Sequence, residues 1–149
     1  MIRVQQQPFD PGHELNLVRQ GRAAIGGTVM FLGTVRDLSD GNDVKAMTLE
    51  HYPGMTEKAL AEIEAEAQRR WPLDATLIVH RYGRLEPGED IVLVIAASAH
   101  REAAFAACHF LIDWLKTRAP FWKLEENDRG ASWVAARDSD DEAAQRWTE

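Results

Sequence analysis

Seven apolar residues in a row, Ile91-Val92-Leu93-Val94-Ile95-Ala96-Ala97, lead through Ser98-Ala99-His100-Arg101 into a helical pattern. The run falls well short of the ~20 residues that cross a bilayer. Its β-branched side chains favour a strand, which we read over 90–98. The pattern that follows carries Ala104, Cys108, Leu111, Ile112 and Leu115 on one stripe and stops before Pro120. That predicts a helix over 100–118 with Ser98 as N-cap. A buried strand feeding directly into a long one-sided helix forces a layered design, with the helix packed on a sheet.

The rest of the chain supplies the other elements. Asp10-Pro11 predicts a short helix over 11–20, with Asp as N-cap and Pro at the first helical position. Residues 24–35 read as a strand, and Gly26-Gly27 and Gly33 mark a bulge or a close backbone approach. A loop over 36–43 turns into a strand over 44–52. Pro53-Gly54 opens a helix with Met55, Ala59, Ile63, Ala67 and Trp71 at helical spacing, ended by Pro72. Strands over 75–84 and 90–98 flank the turn Glu86-Pro87-Gly88-Glu89. Phe121–Glu125 and Ser132–Ala135 make a closing hairpin around Arg129-Gly130, and 138–148 a final short helix. Helices alternating with strand pairs predict an α+β fold, a largely antiparallel sheet with flanking helices. The length of 149 residues suits one domain, 1–149, with 138–149 as an acidic tail.

Charge and cysteine usage exclude several functions. The net charge is −7, and from Leu124 onward eight acidic residues face three basic ones. Between Ile78 and Lys123 six basic residues outnumber five acidic. An acidic chain with a weakly basic centre argues against nucleic acid as a partner and is compatible with a small anion. One Cys forms no intrachain disulfide and no thiolate cage, and His13, His51, His80 and His109 lack metal-ligand spacing, so no metal is expected. Cys108 on the apolar stripe reads as a buried, inert thiol. No cofactor loop or nucleophile elbow is present. The five Trp residues are expected mainly in the core. The first residues hold no apolar leader, which predicts a cytoplasmic protein without membrane attachment.

Three groups of residues carry chemistry. Ser98-Ala99-His100-Arg101 places two cationic side chains where a helix offers free N–H groups and its positive end, an arrangement suited to phosphate. An ordinary capped helix with solvent-facing His and Arg is the plain alternative. Lys116 and Lys123 flank Pro120-Phe121-Trp122, and two ammonium groups held together can lower a lysine pKa towards the nucleophilic range. Here the plain alternative is a helix-terminal cation and a surface ion pair. Arg36, in Gly33-Thr34-Val35-Arg36, stands where a strand meets a loop; a solvated arginine is the competing reading.

In order along the chain, these segments resemble the large, catalytic subunit of molybdopterin synthase. The resemblance rests on Phe31-Leu32-Gly33-Thr34-Val35-Arg36, Leu49-Glu50-His51-Tyr52-Pro53-Gly54-Met55, His80-Arg81-Tyr82-Gly83 and Ser98-Ala99-His100-Arg101. It continues through Leu115-Lys116-Thr117-Arg118-Ala119-Pro120-Phe121-Trp122-Lys123 and Trp133-Val134-Ala135-Ala136-Arg137. It implies an α/β-hammerhead-type fold. It also implies a sulfurtransferase of molybdenum cofactor biosynthesis: a homodimer within a heterotetramer, binding two small ubiquitin-like sulfur-carrier subunits. The carrier's C-terminal Gly-Gly thiocarboxylate would enter a pocket here, and sulfur would pass to cyclic pyranopterin monophosphate to form a dithiolene. By position, the resemblance makes Lys116 and Lys123 catalytic, Lys116 beside the carrier's terminal glycine and able to bond to it, Lys123 for proton transfer or charge stabilisation. It assigns Arg36, His100, Arg101 and Arg137 to the pterin phosphate, and Thr34, Val35, Arg36, Lys123, Leu124 and Glu125 to the pocket lining.

Geometry adds a constraint. His100 and Lys116 lie ~22 Å apart along one predicted helix. If both serve one site, a two-fold dimer must bring the lysines of one chain to His100, Arg101 and Arg137 of the other. Two other readings compete: a non-catalytic carrier-binding module, and a phosphate-ligand-binding protein without a protein partner.

Overall fold

The computed structural model describes residues 1–39, 41–134 and 138–148. Strand β1 (Ile2–Gln5), helix α1 (Pro11–Arg19) and strand β2 (Gly27–Thr34) come first, then β3 (Leu38–Ser39) and β4 (Asn42–Asp43). Strand β5 (Ala46–His51) leads to α2 (Met55–Arg70), β6 (Ala75–Arg81), β7 (Gly83–Leu85) and β8 (Asp90–Ser98). Helix α3 (Arg101–Arg118), the hairpin β9 (Phe121–Asn127) and β10 (Gly130–Val134), and α4 (Asp138–Gln145) complete the chain.

Two four-stranded sheets form, ordered β1-β6-β8-β2 and β10-β9-β5-β7, with β3-β4 a small hairpin. Pairing is antiparallel except for β1 on β6, so the largely antiparallel α+β expectation holds. The unbroken apolar run lies in β8, between β6 and β2, and is covered on both faces. Val92, Val94 and Ala96 pack with Leu60 and Ile63 of α2 and Phe110, Leu111 and Leu115 of α3. Leu93 and Ile95 point the other way, with Leu77 and Val79, towards Leu15 and Val18 of α1. That two-sided burial is why the sequence shows no alternation there. Each such side chain is worth about 1.5–3 kcal/mol when fully buried.

Local sequence explains the ends of the elements. The Asp10 carboxylate accepts from the His13 N–H at 3.1 Å, capping α1 as expected. A Cβ on Gly26 would lie 2.0 Å from the Ala99 carbonyl oxygen, so the predicted close approach is real. The register also slips between Gly33 and Thr34. Cys108 is buried, its thiol directed at the Val94 carbonyl at 3.9 Å, and burial pushes it up to about 11.

Several expectations need correction. The strand expected over 75–84 breaks at Tyr82: β6 belongs to the larger sheet and β7 to the smaller. Gly83, at φ 94°, provides the left-handed backbone that lets the chain change sheets. Helix α3 is capped by His100, not Ser98, because the Ser98 hydroxyl donates to the Pro72 carbonyl at 2.7 Å instead. Strand β1 and the β3-β4 hairpin were not foreseen. Trp122 and Trp133 are exposed, against the expectation of buried tryptophans. No described helix is long and apolar enough to cross a membrane.

Candidate active site

The C-terminal end of α3 is tied into the smaller sheet. Pro120 stops the helix and its carbonyl accepts from Thr56 Oγ1 at 3.5 Å, while Thr56 Oγ1 in turn accepts from the Tyr52 N–H at 3.1 Å. The chain then enters β9, where Phe121 pairs with His51, Lys123 with Leu49 and Glu125 with Met47. Paired residues in an antiparallel ladder share a face. Phe121, Lys123 and Glu125 therefore stand on the face with His51 and the buried Leu49 and Met47. Alternation sends Leu124 to the opposite face, paired with Thr48 and Trp133.

His80 of β6 closes this region from behind. It is buried, its ring stacks on Phe121 with centroids 3.7 Å apart, and Nδ1 donates to the Arg81 carbonyl at 2.8 Å. Burial lowers its pKa to about 3, and the positive charges of Lys116 and Lys123 push the same way, against the Arg81 hydrogen bond. Both lysines thus act electrostatically on one neutral imidazole. Lys116 is exposed in the last turn of α3, where the helix dipole favours a cation, and Lys123 is half-buried. Both sequence-predicted lysines thus lie within electrostatic reach of His80.

The other predicted residues lie elsewhere. His100 and Arg101 are exposed at the opposite end of α3, 15 residues or ~22 Å from Lys116. Arg101 borders an open groove of about 810 Å³, shared with Met30 and Phe31 of the edge strand β2 and with Phe105, which is 62% exposed. Thr34 and Arg36 are exposed at the end of β2, but Val35 between them is core, packed with Met47, Leu49 and Leu85. Arg137 lies outside the described residues. No group of three or more His, Cys, Asp or Glu among the described residues could hold a metal.

The MoaE protein family model matches residues 4–118. A molybdopterin synthase catalytic subunit from Pseudomonas aeruginosa is 62% identical over 148 residues, covering 99% of each chain. The chain belongs to the MoaE family of molybdopterin synthase catalytic subunits. The molybdopterin biosynthesis MoaE protein from Burkholderia ambifaria is similar in structure, with a TM-score of 0.85 and 52% identity, covering 100% of this chain and 99% of that one. The molybdopterin synthase structure from Staphylococcus aureus follows at 0.83 and 31%, covering 89% and 96%. Lys123 lies beyond the span of the MoaE match but within the P. aeruginosa alignment. Sequence reasoning passed over His51, His80 and Phe121. His51 and His80 each stand in a motif of the MoaE resemblance, Leu49–Met55 and His80–Gly83, and that was the available signal.

Proposed function

We propose that this MoaE chain transfers sulfur from the C-terminal thiocarboxylate of a small carrier subunit to cyclic pyranopterin monophosphate, forming the dithiolene of molybdopterin. The observation that carries the proposal is that Lys123 shares a face with Phe121 and that both Lys123 and Lys116 act on the neutral His80 stacked there. A thiocarboxylate is anionic, and acyl transfer develops further negative charge. Fixed ammonium groups beside a partly buried wall stabilise such charge more than water does. Lys116, exposed at the mouth, meets the terminal glycine and can bond to its carboxyl carbon. Lys123 stabilises charge or moves a proton. The sealed thiol of Cys108 stays out of the chemistry, because the carrier brings the sulfur.

Arg36, His100, Arg101 and Arg137 hold the pterin phosphate, with Thr34, Val35, Leu124 and Glu125 contributing to the walls. Since Val35 is core and Leu124 faces away from Lys123, these two contribute through backbone. The distance along α3 argues that Lys116 and Arg101 of one chain serve different sites. Supporting a homodimer, edge strand β2 exposes Met30, Phe31 and Leu32 beside Phe105, an apolar edge of the kind that a second copy covers. Each site then combines the lysines of one chain with His100 and Arg101 of its partner.

The test is dithiolene formation from thiocarboxylated carrier and pyranopterin precursor. Wild type is expected to turn over and Lys116→Ala to lose activity while still binding carrier. A wild type that binds carrier yet forms no dithiolene would leave a binding module in its place.

A further inference from the structure

One side chain at the lysine end of the molecule has an unfinished hydrogen-bond inventory. His51, the last residue of β5, pairs with Phe121 and so shares its face with Lys123. Its ring lies against Tyr82, with centroids 4.3 Å apart and an interplanar angle of 43°, and 6.3 Å from Phe121. It also lies near His80, the ring on which Lys116 and Lys123 act. Aromatic contacts hold the ring, so its orientation is set by packing.

The two ring nitrogens differ. Nδ1 is sealed from solvent and has no hydrogen-bond partner, whereas Nε2 is not sealed. A neutral imidazole carries its proton on one nitrogen only. A sealed, unpaired N–H is the more costly arrangement, since buried donors are left orphaned less often than acceptors. The sealed nitrogen therefore selects the tautomer with the proton on Nε2. That gives a fixed N–H donor at the open side of the ring, with His51 on the sheet face that carries Lys123.

We propose that His51 is a third binding residue of the lysine site, its Nε2–H donating a hydrogen bond to the terminal thiocarboxyl group of the bound carrier tail. The inference rests on the carrier-tail reading given above. Two ammonium groups, each a point charge without a planar fork, fix the sign of the ligand but not its orientation. A donor held by packed aromatic rings fixes the orientation. It places the terminal group so that Lys116 approaches from the mouth and the imidazole from the floor.

The experiment compares carrier with an intact Gly-Gly end and carrier lacking its final glycine, each titrated against wild type, His51→Phe and His51→Gln. His51→Phe keeps a ring against Tyr82 and Phe121 but removes both nitrogens, and His51→Gln restores an N–H near Nε2. The expected result is a roughly 10-fold weaker Kd for intact carrier in His51→Phe, as for one lost hydrogen bond to an anion. His51→Gln should recover to within about 3-fold of wild type, and the shortened carrier should bind all three alike. Equal Kd values for intact carrier in wild type and His51→Phe overturn the inference. So does an equal loss on both carriers, which would mean a packing role. A wild type that binds neither carrier overturns the tail reading and this inference together; wild-type binding without a His51 effect overturns this one alone.

Discussion

The two ends of α3 are built in opposite ways. At the C-terminal end, Pro120 is bonded to Thr56, Phe121 is stacked on His80, and Lys123 is held in a ladder with Leu49. At the N-terminal end, His100 and Arg101 stand exposed beside an edge strand and an open groove. The helix dipole widens the contrast. It favours Lys116 and Arg118 in the last turn and disfavours Arg101 in the first, each by about 0.3–1 kcal/mol. One end is finished by its own chain; the other carries positive charge at some cost to stability and gains from an anion. The lesson is that one chain builds its two groups of cations to different degrees, packing one into its own sheets and leaving the other in the open.

The comparison is most directly broken at its finished end. Lys116→Ala should lower the rate of dithiolene formation by at least about 100-fold, the scale on which fixed electrostatic groups act. As Lys116 is exposed, the melting free energy should stay within about 0.5 kcal/mol of wild type. A Lys116→Ala chain that keeps its rate would remove the finished end from the chemistry.

Mixing the two ends tests whether they meet across a dimer. Randomly reassembled Lys116→Ala and His100→Ala chains should recover about a quarter of wild-type activity. Half of the dimers are mixed, and each of these holds one intact composite site. Mixtures no more active than either parent would show that each chain works alone.

Acid stability sharpens the contrast further. His80 has a pKa of about 3 in the fold against an ordinary 6.5, so below 6.5 the unfolded chain takes up a proton that the folded chain refuses. Its contribution is present above pH 6.5 and lost as the pH falls towards 3, with a slope approaching about 1.4 kcal/mol per pH unit. His80→Phe, which keeps a ring on Phe121, should flatten the denaturation midpoint against pH over that window. An unchanged profile would mean that His80 titrates normally. The smallest effect belongs to Arg101→Gln. It should stabilise the fold by a few tenths to about 1 kcal/mol while weakening pterin binding, measured by thermal melts and titration with the precursor.

The contrast also separates what the sequence reveals from what it hides. The run Ile91–Ala97, the Asp10 cap and the stop at Pro120 act over a few residues, and each is legible. Strand β1 is not, because its partner Ile78–Arg81 lies more than 70 residues away and parallel pairing leaves no turn signal between them. Residues 75–84 look like one strand because the side chains stay compatible across Tyr82; only the positive φ of Gly83 reveals the change of sheet. At the site, the lysines declare themselves by type and spacing. His51 and His80 do not, since two strand histidines acquire meaning only when separate sheets bring both rings to Phe121.

Cys108 offers a use unrelated to catalysis. Its thiol sits between α3 and the floor strand β8, 4% exposed and with little thiolate at neutral pH. The same side chain lines the groove beside Phe31, so a maleimide or disulfide reagent reaches it when that groove widens or the helix lifts from the sheet. As the chain has no other cysteine, labelling velocity in dilute reagent is a clock for local opening along this face of α3. The same clock reads how far a bound carrier or a second copy slows it.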